Sequence, residues 1–205
     1  MATAVADRYQ LERRARTLAW IGNAWHLVEF AVALGAGIAA SSVALVAFGI
    51  DSLIELAAGG VIIWLFTGGR GASRAAERRA QQLIAVSFYA LALYVVIASV
   101  HAFAGAHPRA SWVGIGLALI AAPTMPILAH AKRRVGRQLG SRATQSEGRQ
   151  NMLCAYLAIA LLVGLAANAL FGLWWADPLA GLVIAAAAVR EAQEAWRGEA
   201  HDDCC

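Results

Sequence analysis

Apolar positions in this chain neither alternate nor recur at helical spacing with polar gaps; they come in long runs. Five runs reach spanning length: Leu18–Ala40, Val43–Phe66, Leu83–Ala104, Trp112–Ala131 and Met152–Leu173. A helix rises about 1.5 Å per residue, so about 20 apolar residues cross a hydrocarbon layer about 30 Å thick. A sixth run, Trp174–Val189, has only 16 residues. The helix formers of AVREAQEAW predict that it continues as an amphipathic helix through Glu191 and Trp196. The pattern predicts an all-α integral membrane protein with six transmembrane helices. It divides into a basic lead-in over 1–17, a membrane domain over 18–197 and a tail over 198–205. The connection at Ser41–Ser42 is short enough to make the first two helices a tight hairpin. Gly35, Gly37, Gly59 and Gly60 offer small surfaces for close helix approach.

Polar residues inside these runs carry the chemistry. Asp51 and Glu55 interrupt VALVAFGIDSLIELAAGGVIIWLF near its middle, four apart, so both lie on one helix face. A carboxylate at the bilayer centre costs about 2.5 kcal/mol or more, and the default reading of such a residue is an ion pathway. The alternative is a pair of carboxylates locked against basic partners, but no Lys or Arg lies within any apolar run. The first span holds Asn23, His26 and Glu29 at three-residue spacing. Glu29 has three roles open to it: a hydrogen bond to His26, lining the path, or holding helix one against helix two. Glu147, Gln150 and Cys154 share a face of the fifth helix, with Asn151 beside them. A thiol, a carboxylate and an amide entering the membrane together suit the second half of a cation site; a lone Cys is more often a small core residue.

Other segments are less specific. Pro123 and Pro126 in APTMP predict a bend in helix four. His101 and His107 flank an external loop. Trp174 and Trp175 mark the outer interface, and Asp177-Pro178 reads as an N-cap and first-turn proline for helix six. The glycines of TGGRGASRAAERRAQ follow no strand and precede no Gly-Lys-Ser/Thr, so they form no phosphate loop. The tail HDDCC compresses imidazole, carboxylate and thiol into five residues, a set able to capture a soft divalent metal.

Composition agrees with the runs: 60% of residues are hydrophobic, 15% charged, and mean hydropathy is +0.59. Orientation follows from the basic residues. With the N-terminus inside and six spans, sixteen of the 17 Lys and Arg face the cytoplasm and only Arg109 faces out. Both termini are then cytoplasmic. The net charge of +4 reflects topology and contact with anionic lipid rather than nucleic acid. The first apolar run is too long for a cleaved leader and reads as a retained helix. Cys154, Cys204 and Cys205 give no disulfide framework. No nucleophile–base arrangement marks an enzyme.

SSVALVAFGIDSLIELAAG (41–59) resembles helix two of the cation diffusion facilitator family of divalent-metal transporters, with Asp51 and Glu55 on its two metal-ligating positions. The family's helix-five pattern, Ala-Asp-x-x-His-x-x-x-Asp, is similar to Ser146-Glu147-Gly148-Arg149-Gln150-Asn151-Met152-Leu153-Cys154, placing Gln150 at the His and Cys154 at the Asp. WWADPLAGLVIA (174–185) looks like the family's lead into helix six. The resemblance implies metal/proton antiport by alternating access in a bacterial inner membrane, a homodimer, no resident cofactor, and a tetrahedral Zn²⁺ site from Asp51, Glu55, Gln150 and Cys154, with Glu147 near it. It resembles a compact actinobacterial-type branch, since the chain stops about eight residues after helix six, where the family usually appends a cytoplasmic regulatory domain. The rival reading is a membrane metal sensor or accessory protein without transport. One geometric tension stands: Asp51 is about 13 Å and Cys154 nearly ~29 Å from the outer end of its own run. It closes if helix five starts well upstream of Met152 and ends before the tryptophans.

Overall fold

Six helices form because six stretches are rich enough in Leu, Ala, Ile and Val to bury or shed their backbone polarity internally, the only way a single helix crosses lipid. The computed structural model describes residues 2–67, 74–105 and 108–197. In chain order the helices are α1 (Ala2–Ala40), α2 (Val43–Thr67), α3 (Arg74–Ala104), α4 (Trp112–Leu139), α5 (Arg142–Phe171) and α6 (Ala176–Arg197). No strand occurs among the described residues. The Gly-rich start of the basic loop after α2, His107 and the HDDCC tail lie outside them.

The helices overrun their apolar cores at one end of the bundle. α1 takes in the basic lead-in, α3 and α5 begin with Arg, Ala and Gln, and α4 continues through its Lys-Arg-Arg stretch. These are strong helix formers, so the helix persists where hydropathy fades. Among the described residues, five helices are long and apolar enough to cross a membrane. α6 has a shorter apolar part and extends through Glu191 and Trp196, as its helix formers predict. The outside is apolar: Ile38, Leu93, Ile97, Val100, Ile127 and Phe171 are all exposed. Such a surface needs a lipid solvent. The chain is a multi-pass helical membrane protein.

α1 packs along α2 and α4, α4 runs against α5, and α3 lies on α6. α2 touches α3, α5 and α6 as well as α1, which makes it the central element. The α1–α2 hairpin turns on Ser41 in the left-handed region (φ 56°), with Ser42 N–H donating to Gly37 O at 2.9 Å. Of the four glycines expected at contacts, Gly37 and Gly59 are at them, while Gly35 and Gly60 face open space. A Cβ on Gly49 would meet the α1 backbone at 3.0 Å, so Gly49 supplies a close approach as well.

The other end of the bundle is tied by polar clasps. Asp177 was expected to cap its own helix. Instead its buried carboxylate accepts from the Ser42 hydroxyl, from Val43 N–H at 2.9 Å and from Ala44 N–H at 3.5 Å. It caps α2, whose orphan first-turn amides attract an anion. Arg109 donates its backbone N–H to Ala40 O and its guanidinium to Ala39 O, closing the C-terminus of α1. Asn168 on α5 donates to Pro108 O at 3.0 Å. Arg109 thus sits on the negative end of a helix dipole.

Candidate metal centre

Three helices, α1, α2 and α5, contribute buried stripes to one polar centre. On α1, Asn23, His26 and Glu29 are buried; on α2, Asp51, Ser52 and Glu55; on α5, Glu147, Asn151 and Cys154. His26 stands at the middle. Its Nδ1 is 2.9 Å from Glu29 Oε2 and 3.2 Å from Glu55 Oε2. The Asn151 amide donates to His26 Nε2 at 2.9 Å. With Nε2 accepting, the neutral ring carries its proton on Nδ1 and donates it to Glu29.

One ligand atom each from His26, Glu55 and Cys154 lies within 4.8 Å of the others, and all three side chains are buried. Tetrahedral zinc, with bonds of about 2.0–2.3 Å, sets ligand atoms about 3.3–3.8 Å apart. The cluster reaches that spacing by a contraction of about 1 Å. Glu29 Oε1 and Asn151 Oδ1 are buried without a hydrogen-bond donor among the described residues, and Glu55 Oε2 faces the His26 ring at 3.2 Å without a well-formed hydrogen bond. Buried acceptors left unpaired are costly, and they mark where a cation or proton fits. Asp51, one turn along α2 and buried, lies within electrostatic reach of Glu55, Glu29 and Glu191.

The sequence offered no cation inside the apolar runs. Lys132, one residue beyond the fourth run, turns back into the bundle and is 1% exposed. Its Nζ donates to Glu147 Oε1 at 2.6 Å. Gly22 on α1 makes the space, since a Cβ there would stand 2.7 Å from Nζ. Glu147 is therefore held by an ammonium, and Glu147 Oε2 remains unpaired. Asn23 reaches over Gly59 toward the same carboxylate.

The structure brings Glu55 and Cys154 together and sets Asp51 one helical turn away. It places Glu147 on Lys132 and Gln150 half-buried, at the edge of the α5 stripe. The amide that enters the centre is Asn151. The i, i+4, i+7 series Glu147–Asn151–Cys154, continued by the buried Ala158 and Leu161, is the sequence signal that identifies the inward face. His26 joins the cluster through the equally regular Asn23–His26–Glu29 series.

The depth tension resolves in the register of α5. Gly114 is touched by both Leu45 and Leu165, which puts these two leucines at one level. From Leu45 to Glu55 is ten residues and from Cys154 to Leu165 eleven, about 15 and 16.5 Å of helix. α5 starts at Arg142, upstream of Met152, and ends at Phe171 with Gly172 as a left-handed C-cap. The apparent excess is the part of α5 that continues past the level of Leu45.

A polytopic helical membrane protein with a buried, charged centre built from its first, second and fifth helices is the class defined here. The family model for the cation efflux transmembrane domain matches residues 19–196. The chain belongs to the cation efflux family, the cation diffusion facilitators, and is a divalent cation efflux transporter rather than an enzyme. A search among individually curated proteins returned no match.

Proposed function

We propose that the protein exports a divalent transition metal, Zn²⁺ first among them, in exchange for protons across a bacterial plasma membrane. The observation that carries the reading is the buried convergence of His26, Glu55 and Cys154, from three helices, on one point. Imidazole, thiolate and carboxylate together favour a borderline-soft ion such as Zn²⁺ over Mg²⁺ or Ca²⁺. Asp51 supplies a further carboxylate from the next turn of α2, with Glu147 and Gln150 on the side of the basic end. Glu29, which accepts the Nδ1 proton of the neutral ring, stands beside the same nitrogen as a further carboxylate.

Charge balance supports the exchange. Glu29, Asp51 and Glu55 stand in a low-dielectric centre with one imidazole, while Lys132 is committed to Glu147. Three ionised carboxylates, a neutral His26 and a Cys154 thiolate carry four negative charges, and one divalent cation or two protons offset the same two of them. Metal binding requires Nδ1 of His26 and Sγ of Cys154 to be free of protons, so metal and proton exclude each other from the same atoms. Alternating access then couples the two fluxes: metal enters from the basic, cytoplasmic end, and protons replace it from the Arg109 end.

The test is Zn²⁺ flux in proteoliposomes with an imposed pH gradient. Zinc moving against its own gradient at the expense of the proton gradient, at two protons per ion, is the expected result. Saturable zinc binding with no flux under any gradient would instead make the chain an accessory metal-binding protein.

A further inference from the structure

A cavity of about 400 Å³ opens between α4, α5 and α6 at the basic end, and Glu191 on its lining is also within electrostatic reach of Asp51 and Glu55. Three guanidiniums line it, one from each helix: Arg133 of α4, Arg149 of α5 and Arg190 of α6. Its floor is apolar, with Met152, Leu153 and Ala187. Among the described residues none of the three arginines forms an ion pair. Arg133 is pinned in place: its stem crosses Gly148 so closely that a Cβ there would lie 2.7 Å from Cγ.

The depth of these groups is as telling as their charge. Arg133 follows the fourth apolar run by two residues, Arg149 precedes the fifth by three, and Arg190 follows the sixth by one. All three therefore stand at the edge of the hydrocarbon, within about 5 Å along their helices. The apolar floor is made by residues just inside that edge. A cationic rim above an apolar trough, both at the lipid interface, matches an amphiphile and not a water-soluble anion.

Two carboxylates, Glu191 and Glu194, share the lining. Burial first, and then Glu194, pushes the Glu191 carboxyl up to about 7, so it carries only part of a charge near neutrality. The rim remains net positive. We propose that this cavity is a binding site for one anionic phospholipid, its phosphate held by Arg133, Arg149 and Arg190 and its acyl chain lying on Met152, Leu153 and Ala187. The site holds no residue of the His26–Glu55–Cys154 cluster and stands whether or not zinc is the cargo.

The experiment uses the full-length purified protein in detergent, with phosphatidylglycerol and phosphatidylcholine of the same acyl chains as probes. Native mass spectrometry is expected to show one phosphatidylglycerol retained per chain and phosphatidylcholine washed away. R149Q/R190Q should weaken phosphatidylglycerol binding by about 25-fold, taking about fivefold for each interfacial arginine. R133Q alone should give about fivefold. Glycerophosphate, the headgroup chemistry without chains, should not compete at concentrations where the lipid saturates. Equal retention of both lipids, full affinity in R149Q/R190Q, or displacement by glycerophosphate would each overturn the proposal. Should the double variant not fold, the lipid comparison on the wild-type chain decides alone.

Discussion

At the scale of single residues, one side chain separates a cation site from a packing device. Asp51→Ala removes a central carboxylate, so it should abolish zinc flux while leaving insertion intact, because losing a buried charge eases entry into lipid. Wild-type flux in that variant, measured in proteoliposomes beside a membrane-extraction control, would exclude Asp51 from the pathway. Cys154→Asp exchanges a soft ligand for a hard one and should shift preference from Zn²⁺ toward Mn²⁺. A competition series across metals reads this directly, and an unchanged series would return Cys154 to the packed core. Glu147→Ala leaves the Lys132 ammonium buried and alone, at a cost of about 3–5 kcal/mol. Thermal unfolding in detergent should show the loss, and Lys132→Met in the same background should recover most of it. Asp51 and Cys154 were legible in sequence, but the Lys132–Glu147 pair was not. Lys132 looked like one more interfacial cation, and only the gap at Gly22 lets it turn inward.

At the scale of elements, the sequence defined the helices well and their faces less well. Apolar runs locate all six helices because lipid leaves the backbone no other solution. Helix rotation is a different matter. Counting from Glu147, residues at three and at four are equally plausible neighbours, and packing of α5 against α2, α4 and α6 selects Asn151 over Gln150. Asp51 and Glu55 were legible since both lie on the one helix that neighbours four others. The His26 cluster was not, because it depends on how α1 is turned relative to α2. Helix ends were misread wherever the partner is distant: Asp177 lies in the first turn of α6 and caps α2. Asp177→Ala should therefore cost about 1–2 kcal/mol, as for other lost N-caps. The signature is increased hydrogen exchange at the amides of Val43 and Ala44, with the first turn of α6 unaffected. Faster exchange in α6 instead would assign the cap to its own helix.

At the scale of the whole molecule, the polar centre lies between a basic end and an end closed by clasps. On the sequence reading, sixteen of the 17 Lys and Arg fall on the cytoplasmic side, so the distribution of charge alone orients the bundle. The HDDCC tail follows α6 at that end of the sequence. If it gathers metal near the cytoplasmic mouth, deleting residues 201–205 should raise the apparent KM for zinc and spare the maximal rate. Initial rates at limiting metal make the comparison, and identical kinetics there would remove the tail from the transport cycle.

The clasp between Asp177 and the start of α2 joins residues more than 130 positions apart. A chain emerging from the ribosome completes α2 long before Asp177 exists. Through the synthesis of α3, α4 and α5 the first amides of α2 have no carboxylate to meet, and the central helix waits with its outer end unsealed. The sixth helix is thus the one that finishes the second. The bundle matures at its far rim only once that helix has been made.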